Sequence, residues 1–232
     1  MMHMAVAALT AVVAVGLLAG ERVEFKERLM RAAMQKAKMG DPNALFTVGE
    51  MHYLGFAGKK DYAKARDYFE RAAVKGHTKA MFNLGYLYFS GKGGVRDYRK
   101  AQEWFQKAAE QGDPKAMRYL AQIYYKGLGV PQDYARAFRW YKKVADLGYP
   151  EAQYMVGQMY RRGLGIQKDP KRAAIYLERS AKQRCARAEL ELGKMYLVGE
   201  GVLKDPKKAE RYFKQALQDG SAEAEEYLKR LQ

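Results

Sequence analysis

Small and apolar residues recur along this chain with one fixed period. Alanine stands at Ala44, Ala80, Ala116, Ala152, Ala188 and Ala224, each step being 36 residues. Four residues on, Leu84, Leu120 and Leu192 share a column with Val48 and Val156. The next column holds Gly49, Gly85, Gly157 and Gly193, with Ala121 substituting once. Eight residues after each alanine come Tyr88, Tyr124, Tyr160 and Tyr196, with His52 in the first unit. At about 100° per residue these offsets fall within one wide arc, the pattern of an amphipathic helix.

A second series follows in every unit. It starts at Asp61, Asp97, Asp133, Asp169 and Asp205 and continues through Ala65, Ala101, Ala137, Ala173 and Ala209. Aromatic residues stand three positions later, at Tyr68, Trp104, Trp140, Tyr176 and Tyr212. Small pairs such as Ala72-Ala73 and Ala108-Ala109 close the unit, followed by Gly76, Gly112, Gly148 and Gly220. Each unit therefore predicts two helices. Asp41-Pro42, Asp113-Pro114, Asp169-Pro170 and Asp205-Pro206 supply an N-cap followed by a proline suited to the first helical position. A Gly-x-Gly turn, as at Gly91 and Gly93, joins the two helices. The glycine inside the first helix costs about 1 kcal/mol relative to alanine. Its recurrence predicts close packing there, most simply by the paired second helix.

The unit Ala80-x3-Leu84-Gly85-x2-Tyr88-x2-Gly91-x-Gly93, followed by Asp97-x3-Ala101-x2-Trp104-x3-Ala108-Ala109-x2-Gly112, resembles a Sel-like repeat, a subclass of the tetratricopeptide superfamily. The resemblance implies an all-α fold: a right-handed α-α superhelical solenoid of helix-turn-helix repeats. Five repeats would occupy residues 41–220. Residues 21–40 resemble a degenerate half repeat, and residues 221–232 a C-terminal capping helix. Two places depart from the pattern. The first unit has His52, Ala57 and Gly58 where later units differ, and the fourth has Arg184-Cys185 where glycine would end the helix.

Residues 1–20 form a separate segment. Residues 4–20 carry no charge, and a helix of that length spans roughly 25 Å against a bilayer core of about 30 Å. A hydrophobic anchor or export signal is the expectation. The chain would then be tethered by a single N-terminal span, or exported to the periplasm if the segment is cleaved. Six Lys/Arg between Arg22 and Lys38 favour a cytoplasmic C-terminal side, although Glu24 and Glu27 share that stretch and Glu21 precedes it.

Composition narrows the chemistry. The single cysteine, Cys185, excludes a disulfide scaffold and a cysteine-based zinc site. Three histidines, His3, His52 and His77, leave no spacing that reads as a metal centre. The Gly-x-Gly turns lack the strand and the longer spacing of a dinucleotide loop. No catalytic constellation is present, so no enzyme activity and no cofactor are expected. His52 reads as a packing residue in a tyrosine column and His77 as an exposed turn residue. The net charge of +16, from 42 Lys+Arg against 26 Asp+Glu, points to an acidic partner. Of that surplus, +12 falls in residues 77–184.

The positions that the repeat does not fix indicate where a partner would bind. Offsets 2, 6 and 9 of the first helices lie opposite the repeated leucine and tyrosine columns. In tetratricopeptide-like solenoids the first helices line a binding groove, so the resemblance implies that these offsets face a partner. They carry Phe46, Tyr53, Phe82, Tyr86, Phe89, Arg118, Tyr125, Tyr154 and Arg161. Tyrosine and arginine are enriched at interface hot spots, and exposed aromatic strips mark binding surfaces. The expected function is a non-catalytic protein-protein interaction scaffold that binds through this face. The expected partner is a protein, such as a membrane complex with an acidic face. An alternative is a structural accessory subunit of a larger membrane protein complex. Anionic lipid is a further candidate partner, and the absence of a reader motif argues against nucleic acid.

Overall fold

The computed structural model describes residues 19–231 apart from Ala57, with side chains from residue 23 onward. The apolar stretch at residues 4–20 lies outside the described residues except for Ala19 and Gly20, which open the first helix. Among the described residues there are twelve helices and no strand. They are α1 (Ala19–Lys38), α2 (Pro42–Leu54), α3 (Tyr62–Ala73), α4 (Thr78–Ser90), α5 (Tyr98–Glu110), α6 (Pro114–Lys126), α7 (Tyr134–Asp146), α8 (Pro150–Arg162), α9 (Pro170–Ala181), α10 (Ala186–Val198), α11 (Pro206–Gln218) and α12 (Glu223–Arg230). The chain divides into two compact units, with the boundary between Ala108 and Ala109 inside α5.

Unit 1 stacks α1 on α2, α2 on α3 and α3 on α4. Unit 2 stacks consecutive helices from α6 to α12. The repeated columns form the cores of both. Leu84 and Phe105 are fully buried in unit 1, and Leu120, Leu192 and Phe213 in unit 2. The mid-helix glycine has the predicted cause. A Cβ on Gly85 would lie 2.8 Å from the Phe105 ring, and one on Gly193 would lie 2.4 Å from the Phe213 ring. The second helix presses an apolar side chain onto the backbone of the first.

Each aspartate of the second series has two tasks. In unit 2, Asp133 Oδ1 accepts from the Arg136 N–H at 2.8 Å and caps α7. The Asp133 N–H donates to the Tyr124 carbonyl at 2.9 Å, tying the cap back to α6. The residue three places after the aspartate is basic, and its side chain lies over the tyrosine of the preceding helix. Lys100 stands 5.4 Å from Tyr88, Arg136 5.4 Å from Tyr124, and Lys208 4.1 Å from Tyr196. Part of the basic surplus is therefore built into the fold as cation-π contacts.

The Gly-x-Gly turns need both glycines. In unit 1, Gly91 closes α4 at φ 74° and its N–H donates to Leu87 O at 2.9 Å. Gly93, at φ 77°, rests on the start of α3, where a Cβ would lie 2.5 Å from the Tyr62 backbone. These are helix-to-helix turns, as the sequence predicts. Where the closing glycine is replaced by Arg184, that residue still adopts φ 61°. Its guanidinium holds Asp219, with Nε donating to Oδ1 at 3.0 Å.

Candidate partner-binding surface

In unit 1 the first-helix face is built on α2 and α4. Phe46 differs from the sequence expectation of a partner contact. It stacks on His77 with ring centroids 4.4 Å apart and is only 5% exposed. Its offset opens on the helix face, but the turn before α4 folds over it. His77 is correspondingly half-buried and not exposed. Its Nδ1 caps α4 by accepting from the Ala80 N–H at 3.1 Å, and burial holds its pKa below the usual value. His52 stacks on Tyr68 at 5.6 Å, as expected of a packing residue.

Phe82, Tyr86 and Phe89 are half-buried along α4. Phe82 and Phe89 lean on the buried Phe105 ring at 5.8 and 6.2 Å, and Phe89 meets Tyr98 edge-on at 5.4 Å. The strip is thus fixed from beneath and partly open above. Tyr53 meets Tyr62 edge-on at 5.2 Å. Between them and Tyr86 lies Lys92, from the Gly-x-Gly turn. Its ammonium is 5.8 Å from the Tyr53 ring centroid, 5.4 Å from Tyr62 and 5.7 Å from Tyr86. The neighbouring phenols, Tyr53 first, raise the Lys92 pKa.

In unit 2 the same offsets carry different chemistry. Arg161 Nε donates to Glu200 Oε2 at 2.8 Å, and its Nη1 pairs with Glu191. Lys194 Nζ donates to Glu191 at 3.1 Å and to Glu223 at 2.8 Å. Arg161 is therefore held within the fold. Tyr154 is half-buried, with the Arg187 guanidinium 4.9 Å from its ring. Arg118 lies 4.6 Å from the Tyr119 ring centroid, and Tyr125 meets Tyr134 edge-on at 5.2 Å. Beneath it, burial pushes the Tyr141 phenol up to about 12.

Sequence reasoning from single helix faces missed Lys92 and the carboxylates that hold Arg161. The signal lay at a spacing of 39 residues, which links Arg161 to Glu200 and Tyr53 to Lys92. The residue between the two turn glycines reaches offset 9 of the preceding repeat.

One buried carboxylate stands apart from this face. Glu189, in α10, is 3% exposed and its Oε2 has no hydrogen-bond partner. Burial, reinforced by the Asp219 carboxylate, pushes its pKa up to about 7. No group of three His, Cys, Asp or Glu that could hold a metal ion occurs among the described residues. Among them no helix is long and apolar enough to cross a membrane.

The Sel1 repeat family model matches residues 42–77, 78–113, 114–149, 150–185 and 186–221. The chain belongs to the Sel1 repeat family. Among solved structures, a Sel1 repeat protein from Oxalobacter formigenes is 28% identical, with a TM-score of 0.82 over 89% of this chain and 85% of that one. The c5321 protein, a protective antigen present in uropathogenic Escherichia coli strains, is 29% identical, with a TM-score of 0.55. That match covers 86% of this chain and 50% of c5321. A Sel1 repeat protein from Klebsiella pneumoniae, at 24% identity and a TM-score of 0.50 over 87% of this chain and 98% of that one, shares the fold. No match was found among curated proteins. The Sel1 repeat fold is an interaction scaffold: its members generally bind protein partners and are typically non-catalytic.

Proposed function

We propose that this Sel1 repeat protein is a non-catalytic adaptor that binds a partner protein through its first-helix face, chiefly in unit 1. The observation that supports this reading is the row Tyr53, Phe82, Tyr86 and Phe89. These side chains are half-buried on one face and backed by the buried Phe69 and Phe105. Rigid aromatics lose little conformational entropy on binding and dominate interface energetics. The basic surplus favours a partner with an acidic face, and anionic lipid would meet the same charge.

The test is to identify the partner by cross-linking and then measure its affinity for a Phe82→Ala/Tyr86→Ala/Phe89→Ala variant whose helical melt is retained. A loss of about thirtyfold or more is expected, equivalent to about 2 kcal/mol. Full affinity in the folded variant would contradict the reading.

A membrane tether is proposed from residues 4–20. Alkaline carbonate extraction of the full chain should leave it in the membrane pellet; release into the supernatant would refute retention. One observation favours the alternative of an accessory subunit docked through its second helices. An open cleft of about 360 Å³ lies between α9 and α11, lined by Glu178, Lys182, Lys208, Arg211, Tyr212 and Gln215.

A further inference from the structure

We infer that Lys92 and the tyrosines around it form a carboxylate-binding subsite, through which unit 1 takes an extended acidic segment of a partner protein. The inference rests on the first-helix face being the docking surface and names the chemistry of what docks there.

The subsite is held by the backbone. Lys92 stands between Gly91 and Gly93, both in the left-handed region, and Gly93 seats the turn on the start of α3. The three surrounding rings come from α2, from the first residue of α3 and from α4. The ammonium is therefore positioned by rigid elements and is not a tether on a mobile loop. Its neighbours are all phenols: among the described residues no carboxylate pairs with Lys92, and tyrosines alone raise its pKa. The side chain is half-buried, so part of its hydration is already lost. Such a cation gains more from a charge-assisted hydrogen bond than a fully solvated one does.

Unit 2 shows the same place completed. Glu200 stands where Lys92 stands in its repeat, and Arg161 where Tyr53 stands, each 108 residues on. There the cation and the carboxylate meet at 2.8 Å. Unit 1 supplies a cation and aromatic rings at this place, and the carboxylate is left for the ligand. The Tyr53 and Tyr62 hydroxyls can donate to the same carboxylate. Phe82 and Phe89, farther along α4, would take apolar side chains of the same segment. A single ammonium suits one carboxylate, whereas phosphate recognition favours the bidentate fork of arginine. This favours an acidic and apolar peptide over a nucleic acid.

The experiment is a selection of random dodecamer peptides displayed on phage against the full chain in mild detergent. It is repeated with Lys92→Gln, Lys92→Glu and the Phe82/Tyr86/Phe89 alanine variant, each checked for an unchanged helical melt. Enriched peptides should carry Asp or Glu within three positions of an aliphatic or aromatic residue. A synthetic consensus peptide should bind about tenfold more weakly to Lys92→Gln, and Lys92→Glu should select basic residues at that position. Peptides without an acidic preference, or a preference that Lys92→Glu leaves unchanged, would overturn the inference. If the alanine variant still lost binding, the docking face itself would stand. Insensitivity to both sets of changes, or no enrichment at all, would overturn both. Displacement of the peptide by oligo-dT in a Lys92-dependent manner would reassign the subsite to single-stranded nucleic acid.

Discussion

Two regions of this chain share one backbone plan and fill it with opposite chemistry. In unit 1 the place reached by the turn residue is occupied by Lys92 among Tyr53, Tyr62 and Tyr86. In unit 2 it is occupied by Glu200 on Arg161, which joins Glu191 and Lys194 in a network. A neighbouring buried column changes in the same direction. Leu45 and Met81 hold it in unit 1; in unit 2 it runs Met117, Gln153 and Glu189. The repeat architecture constrains the columns that pack helix on helix and leaves the others open to divergence. Around Arg161, unit 2 closes its charged groups on each other, whereas around Lys92 unit 1 presents aromatics and a cation that no carboxylate pairs with among the described residues.

If the two units differ in side chains and not in backbone, the turn glycines should behave alike. Gly93→Ala and Gly165→Ala each place a Cβ within about 2.5 Å of a preceding helix backbone at positive φ. Both should lose about 3 kcal/mol in urea unfolding. Gly148, at φ 94° with open space beside it, should lose only about 1 kcal/mol as Gly148→Ala. A large cost in one unit alone would show that the plan is not shared.

The polar core of unit 2 should reveal itself through pH. Glu189 titrates near 7 in the folded chain and at an ordinary 4.5 when unfolded. At low pH it is protonated in both states and makes no difference to stability. As pH rises through this window the unfolded chain ionises first, so the folded state is destabilised progressively and the full penalty is present above pH 7. Glu189→Gln should therefore stabilise the protein by about 3 kcal/mol at pH 8 and by less than about 1 kcal/mol at pH 5. Asp219, whose pKa Arg184 holds below normal, stays ionised across that range. A gain independent of pH would contradict the assignment.

Smaller effects separate the two surface sites. Arg161→Met should cost about 1.5 kcal/mol, because it strands Glu200, which is 26% exposed, and leaves Glu191 with Lys194 alone. Lys92→Gln should cost less, because it removes only accessible cation-π contacts and strands no carboxylate. Raising the salt should narrow the first difference and leave the second nearly unchanged. Equal costs would erase the distinction between a closed site and an open one.

Much of the fold was legible because the repeat states it several times over. The alanine, glycine and tyrosine columns identified the paired helices, and the mid-helix glycine pointed to the second helix pressing on the first, though not to which side chain does so: Phe105 at Gly85 and Leu177 at Gly157. The candidate surface was less legible. Helical angles place Phe46 on the open face, but no angle shows that His77 folds across it. Arg161 reads as a free cation until Glu200, 39 residues on, is brought to it by the next turn. Contacts between repeats depend on how the units stack, and a single-helix projection omits that stacking.

The central claim is that the first-helix face of unit 1 receives the partner while that of unit 2 is internally satisfied. Tyr86 and Gln158 occupy the same position in their repeats. Each can be replaced in turn by the photoreactive benzoylphenylalanine and irradiated in the cells that make the protein. The account predicts a discrete partner adduct from position 86 and little or none from position 158. Adducts from position 158 that equal or exceed those from position 86 would contradict it.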